Sequence, residues 1–142
     1  MSVNGIRQRG DACNLTLFEN GVAFGPFHIN DATFDDGVRV EMVDQAGQAH
    51  PQPDAYAGEA PTIRGNMSPT LLACQVLKRA RAKALGDTKY KDYDYAALAE
   101  WKFKGGTHTD EFVDAVLYDA SRTIPAGTQR STQNFAISGT LK

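Results

Sequence analysis

The 142-residue chain contains no apolar run approaching the roughly 20 residues that a membrane-spanning helix needs, so no membrane anchor is expected. Its first residues, MSVNGIRQRGDA, lack the apolar core of a signal peptide, which makes synthesis in the cytoplasm the expectation. Cysteine is scarce. Cys13 and Cys74 stand 61 positions apart, without C-x-x-C spacing and without a neighbouring histidine. That spacing argues against a metal site or a redox pair and leaves two small, buried apolar side chains. Catalytic signatures are missing as well. There is no glycine-rich phosphate cradle, no G-x-S-x-G elbow and no H-E-x-x-H helix, and His28, His50 and His108 are scattered over separate segments. Asp35-Asp36 and Asp110-Glu111 are adjacent acids that a strand would point to opposite faces, so neither pair can share a proton as a catalytic dyad does. The expectation is a protein that is not an enzyme, with no catalytic residue, no metal site and no cofactor.

What is present is an ordinary globular composition, 42% hydrophobic and 23% charged. A chain of this length buries roughly 68% of the surface its unfolded form exposes, enough for one domain over residues 1–142 without a metal or a disulfide. The formal charge of −2 is unevenly spread. Residues 34–59 hold six acids (Asp35, Asp36, Glu41, Asp44, Asp54, Glu59) against the single base Arg39, a local net of −5. Lys78, Arg79, Arg81 and Lys83 then place four positive charges within six residues. Opposite patches on one small protein permit self-association. A basic helix also suggests nucleic acid, but aromatics are not interleaved with the bases here and no second basic element supports them.

Period-two alternation dominates the chain. Candidate strands lie at 13–18, 27–34, 38–43, 61–66, 97–104 and 109–119, with a last one from 132. Asn20-Gly21 after the first is a strong hairpin signal, since both residues tolerate positive φ, and Asp35-Asp36-Gly37 marks another turn. In the last strand Phe135, Ile137, Gly139 and Leu141 share one face, and Asn134, Ala136, Ser138 and Thr140 share the other. Segment 109–119 fits a helix or a strand; the turn residues on both sides favour a strand with Val113, Ala115 and Leu117 on one face. Residues 45–60, with Gly47, Pro51, Pro53 and Gly58 spaced through them, show no periodicity and are expected to form a long loop that a neighbouring subunit helps to order.

One helix is expected, over about 68–85. Ser68 is a suitable N-cap, Pro69 fits the first turn, and Gly86 can close the end. Ala73, Leu77, Ala80 and Ala84 form a narrow apolar stripe, which leaves the bases on the exterior. Strands that are each dry on one side, together with a single helix, predict a mainly β (α+β) fold. The economical form is a β-sandwich or flattened barrel of antiparallel strands with one flanking helix.

The order of these elements carries a resemblance. An N-terminal arm at 1–11 leads to a strand ending in Asn20-Gly21-Val22, and a hairpin precedes a long loop. Thr62-Ile63-Arg64-Gly65 runs into the helix, and the terminal strand carries Asn134-Phe135-Ala136-Ile137-Ser138-Gly139-Thr140-Leu141. The whole resembles the tail tube proteins of tailed bacteriophages, related in fold to the tubes of pyocins and type VI secretion systems. The resemblance implies a structural virion protein of the tail. Hexameric rings of such a protein stack into a tube that conducts DNA in transit without binding it specifically. Its implied partners are further copies of itself, then sheath, tape-measure and baseplate or terminator proteins. The arm and the loop (Gly47, Pro51, Pro53, Tyr56, Gly58) would reach adjacent subunits, Glu41, Asn134, Ser138 and Thr140 would face the lumen, and Lys78, Arg79, Arg81 and Lys83 would lie outside. Two alternatives stand beside it: a tail terminator or connector ring, and a small-ligand-binding β-barrel with Trp101, Phe103 and Tyr118 as pocket walls.

Overall fold

The computed structural model describes residues 13–43, 47, 52–127 and 130–142, so the expected arm at 1–11 and Pro51 lie outside the described residues. Nine strands and one α-helix follow in the order β1 (Cys13–Glu19), β2 (Val22–Asp35), β3 (Val38–Val43), β4 (Gln52–Ala57), β5 (Thr62–Met67), α1 (Leu71–Ala84), β6 (Tyr95–Phe103), β7 (Gly106–Asp119), β8 (Arg122–Thr123) and β9 (Thr132–Leu141). A single 3-10 turn, Thr88–Tyr90, links α1 to β6. The main sheet has the order β5-β2-β1-β6-β7-β9-β8, and β5 also pairs with β9. That last pairing joins the two ends of the row into a closed antiparallel barrel of six strands, with β8 as a short addition beside β9. The mainly β barrel with one flanking helix is therefore as expected.

The alternation read in the sequence is what fills the barrel. Cys13, Leu15 and Leu17 of β1 are fully buried, as are Ala97 and Ala99 of β6, with Tyr95 and Trp101 nearly so. Ile63, Phe112, Leu117, Phe135 and Ile137 complete the opposite wall, and Ala73, Val76, Leu77 and Ala80 of α1 join the same cluster. The helix packs on β7 and β2. Each large side chain so buried contributes about 1.5–3 kcal/mol, which makes this cluster, and not any polar contact, the main support of the fold.

Several local expectations shift. The N-cap is Thr70, whose hydroxyl accepts the Ala73 N–H at 3.2 Å, so the helix starts after Pro69 and not at Ser68. The other end matches the reading: Gly86 has φ +88° and the Gly86 and Asp87 N–H groups cap the carbonyls of Lys83 and Ala82. The buried stripe includes Val76, while Ala84 is exposed. Cys74 is only half-buried. Segment 109–119 is a strand, but Asp114 adopts φ +49° and the register with β9 slips between Val113 and Val116. The bulge inserts one residue, so Phe112 and Ala115 both point into the core and Val113 does not share their face. Ala136, expected on a wet face, is 4% exposed.

The largest difference concerns residues 45–60. Part of that segment, β4, pairs antiparallel with β3 to form a separate two-stranded ribbon that joins no other strand among the described residues. The missing apolar periodicity has a physical cause: an edge strand outside the core is under no demand to alternate, and it tolerates Pro53.

Candidate assembly surface

The ribbon is held at its root by short-range chemistry. Asp35 accepts the Gly37 N–H at 2.8 Å and Asp36 accepts the Val38 N–H at 3.1 Å, turns that send the chain out of β2. The Gly37 carbonyl then accepts two returning N–H groups, from Gly58 at 3.0 Å and Glu59 at 3.2 Å. Gly37 needs to be glycine twice over: its φ is +78°, and a Cβ there would lie 2.1 Å from the Glu59 carbonyl oxygen. Arg39 bridges Asp35 at 3.4 Å and Glu59 at 3.1 Å across the same neck. The Gly37 N–H and the Arg39 guanidinium hold the Asp35 carboxyl below its usual range.

Register decides what the two faces of the ribbon carry. Val38, Val40 and Met42 lie opposite Ala57, Ala55 and Pro53, so these six share one face, and none of the six is polar. In the isolated chain that face stands in water, with Val38 47%, Val40 65% and Met42 61% exposed. The reverse face pairs Arg39 with Tyr56 and Glu41 with Asp54, setting two carboxylates directly across from each other. A two-stranded ribbon is at best marginally stable in water alone.

A second feature lies beside the start of α1. Leu71, Cys74, Gln75, Lys78 and Arg81, together with Ala120, Arg122 and Gln133, line a groove of about 410 Å³, with no acid among the described residues that line it. Gln133 is the one fully buried polar side chain among the described residues; its amide donates to the carbonyls of Ser121 at 3.1 Å and Asn134 at 2.8 Å, and its Oε1 lies 3.3 Å from Cys74 Sγ. Sequence reading missed it: the period of two puts position 133 on the dry face of Phe135 and Ile137, but glutamine is a residue type seldom fully buried.

The predicted site residues fall in several places. Of the four helix bases, only Lys78 and Arg81 point freely outward. Arg79 turns inward and grips Glu19 bidentately at 2.9 and 3.0 Å, with Tyr95 Oη donating to the same carboxylate at 2.8 Å. Lys83 donates to the Tyr93 carbonyl. Ser138 and Thr140 line a shallow hollow with Ala57, Pro61 and Val116 near the ribbon's root. Asn134 sits at the far end of β9, donating to Ser121 Oγ at 3.1 Å, and Glu41 stands out on the ribbon, so the four do not form one patch. Of the loop residues, Pro53 and Tyr56 lie on opposite faces of the ribbon, Gly58 at its neck and Gly47 between its strands. Trp101 and Phe103 line one hollow with Phe34, His108 and Asp110, whereas Tyr118 lies outside it. Trp101 donates from Nε1 to Asp110 at 2.6 Å, and no three-walled aromatic pocket forms.

A closed barrel, one flanking helix and a projecting ribbon can be compared as a whole with solved structures. At 10% identity, the cryo-EM structure of the anti-feeding prophage baseplate, symmetrised six-fold, matches over 100% of this chain and 96% of that chain with a TM-score of 0.60. The chain has a tail-tube and baseplate type of fold. A crystal structure of an Hcp protein matches at 13% identity over 89% of this chain and 87% of its own, TM-score 0.52. Hcp1 from Flavobacterium johnsoniae matches at 13% over 89% of both chains, TM-score 0.51. No protein-family model and no curated protein sequence matches. Among the described residues, no helix is long and apolar enough to cross a membrane and no group of three or more His, Cys, Asp or Glu is placed to hold a metal.

Proposed function

We propose that this chain is a structural subunit of a phage-type tail, assembling into hexameric rings that stack as a tube through which DNA passes. The observation that carries the reading is the apolar ribbon face of Val38, Val40, Met42, Pro53, Ala55 and Ala57, which a lone chain leaves in water and a neighbouring copy would cover. The tail-tube and baseplate type of fold and the six-fold symmetry of the prophage baseplate structure support a ring. Charge suits the task. Outside Lys78, Arg79, Arg81 and Lys83 the chain has 11 bases against 17 acids, a net of −6, and a neutral or acidic lining lets a polyanion slide where a basic one would hold it by counterion release. Outward polar residues such as Asn134, Ser138 and Thr140 are candidates for that lining. The location implied is the virion tail, with sheath, tape-measure and baseplate proteins as further partners.

The baseplate match, which spans the full length of this chain, favours a second reading within the same biology: a single ring that connects or terminates a tube. Negative-stain electron microscopy of the purified protein tests both. Stacked tubes support the first reading and single rings the second. Monomers at every concentration and salt, unchanged by other tail components, would overturn both.

A further inference from the structure

We infer that the acidic face of the β3–β4 ribbon docks into the basic groove between α1 and β8–β9 of a second copy of this chain. The inference rests on the assembly reading above and specifies which two surfaces meet. Glu41 and Asp54 are direct cross-strand partners, an arrangement that sets side chains roughly 5 Å apart and destabilises a ribbon when both carry the same charge. Among the described residues neither has an ion-pair partner, and the nearby Arg39 is already held by Asp35 and Glu59 at the neck. The ribbon thus lacks a cation from elsewhere.

The groove has the opposite deficit. Lys78, Arg81 and Arg122 are exposed there; among the described residues no acid lines the groove and none of the three has an ion-pair partner. Among its described residues one chain does not satisfy both needs. The ribbon leaves the barrel next to Asp35 and Thr62, whereas the groove lies at the far end of β5, where Met67 pairs with Gln133. Five steps of strand separate the two, roughly 17 Å. No described ribbon residue lines the groove. Two different surfaces meeting head to tail make a heterologous contact, the kind that closes into a ring or continues as a stack. The apolar face of the ribbon remains available to a different neighbour, so the two faces have separate tasks.

Two full-length variants test this. One reverses the ribbon (Glu41→Lys with Asp54→Lys) and the other reverses the groove (Lys78→Glu with Arg81→Glu). Each is checked for native circular dichroism, then followed by sedimentation velocity alone and as an equimolar mixture. Either variant alone should require at least a tenfold higher concentration to assemble than the unaltered chain, because its ribbon and groove now carry like charge. The mixture should assemble as the unaltered chain does, because in an alternating array every ribbon meets a groove of opposite sign. If both variants assemble normally alone, or if the mixture of two folded variants fails to recover, the docking is wrong while the assembly reading stands. If the unaltered chain does not self-associate, both fall together.

Discussion

At the scale of single residues, the least replaceable polar contact is the one Arg79 makes. Glu19 is 11% exposed and Arg79 29%, so the pair is too sheltered to be treated as a surface salt bridge. Tyr95 completes it, and its own phenol is raised in pKa by burial and by the hydrogen bond it gives to Glu19. Burial likewise pushes the Cys13 thiol up to about 11. Both groups stay protonated in the native state at pH values where the unfolded chain already ionises. The unfolded state therefore binds fewer protons, and stability is complete below the unfolded pKa values, falling as pH rises above about 9. The expected result is an unfolding free energy that is flat from neutrality to about pH 9 and declines beyond it, with a shallower decline for Tyr95→Phe. Urea titrations across that range measure it; equal alkaline slopes for both proteins would contradict the account. Cys13 and Arg79 also show how far sequence carries. The alternation of β1 placed Cys13 inside correctly, whereas nothing local distinguishes Arg79 from Lys78, because Arg79's partner lies 60 positions away.

At the scale of elements, closure of the barrel depends on one close approach. Gly65 of β5 sits between Ala32 of β2 and Phe135 of β9, and a Cβ there would lie 1.9 Å from the Asp31 carbonyl oxygen, at the place where β2 bulges. A methyl group cannot be absorbed against backbone at that distance. Gly65→Ala is expected to cost about 3 kcal/mol, seen as a fall in Tm of roughly 6–12 °C by calorimetry. Gly21→Ala at the β1–β2 turn, with φ +81° but open space around it, should cost no more than about 1–2 kcal/mol. Strand existence was legible in the sequence because alternation reports directly on a half-buried wall. The faces within β7 were not, since a bulge at Asp114 reverses phase without altering composition. β4 was invisible for a related reason: Gln52-Pro-Asp-Ala-Tyr-Ala forms a strand only because β3 lies beside it, and neither face meets the core of its own chain.

At the scale of the whole molecule, the barrel and the ribbon are separable tasks. The Gly58 N–H already reaches the Gly37 carbonyl, so excising residues 38–57 and joining Gly37 to Gly58 should leave the barrel intact. The expected outcome is a folded chain by circular dichroism, with a Tm within a few degrees of the parent, that sediments as a monomer. Rings or tubes from that variant would show that the ribbon is not the assembly element. Assembly itself was suggested by the order of elements and by the split between acidic and basic segments. The decisive apolar face was only half visible. Val38, Val40 and Met42 alternate plainly, but alternation does not say whether the dry side meets a chain's own interior or someone else's.

The strand that seals the barrel is also the last of the described strands to be synthesised. Until β9 emerges from the ribosome, β5 and β7 are raw edges with unpaired backbone groups, and Thr62 must wait for Ser138 to be made before its second ladder can form. Mispairing between nascent chains on one messenger is thus a hazard of the interval before that seam is stitched.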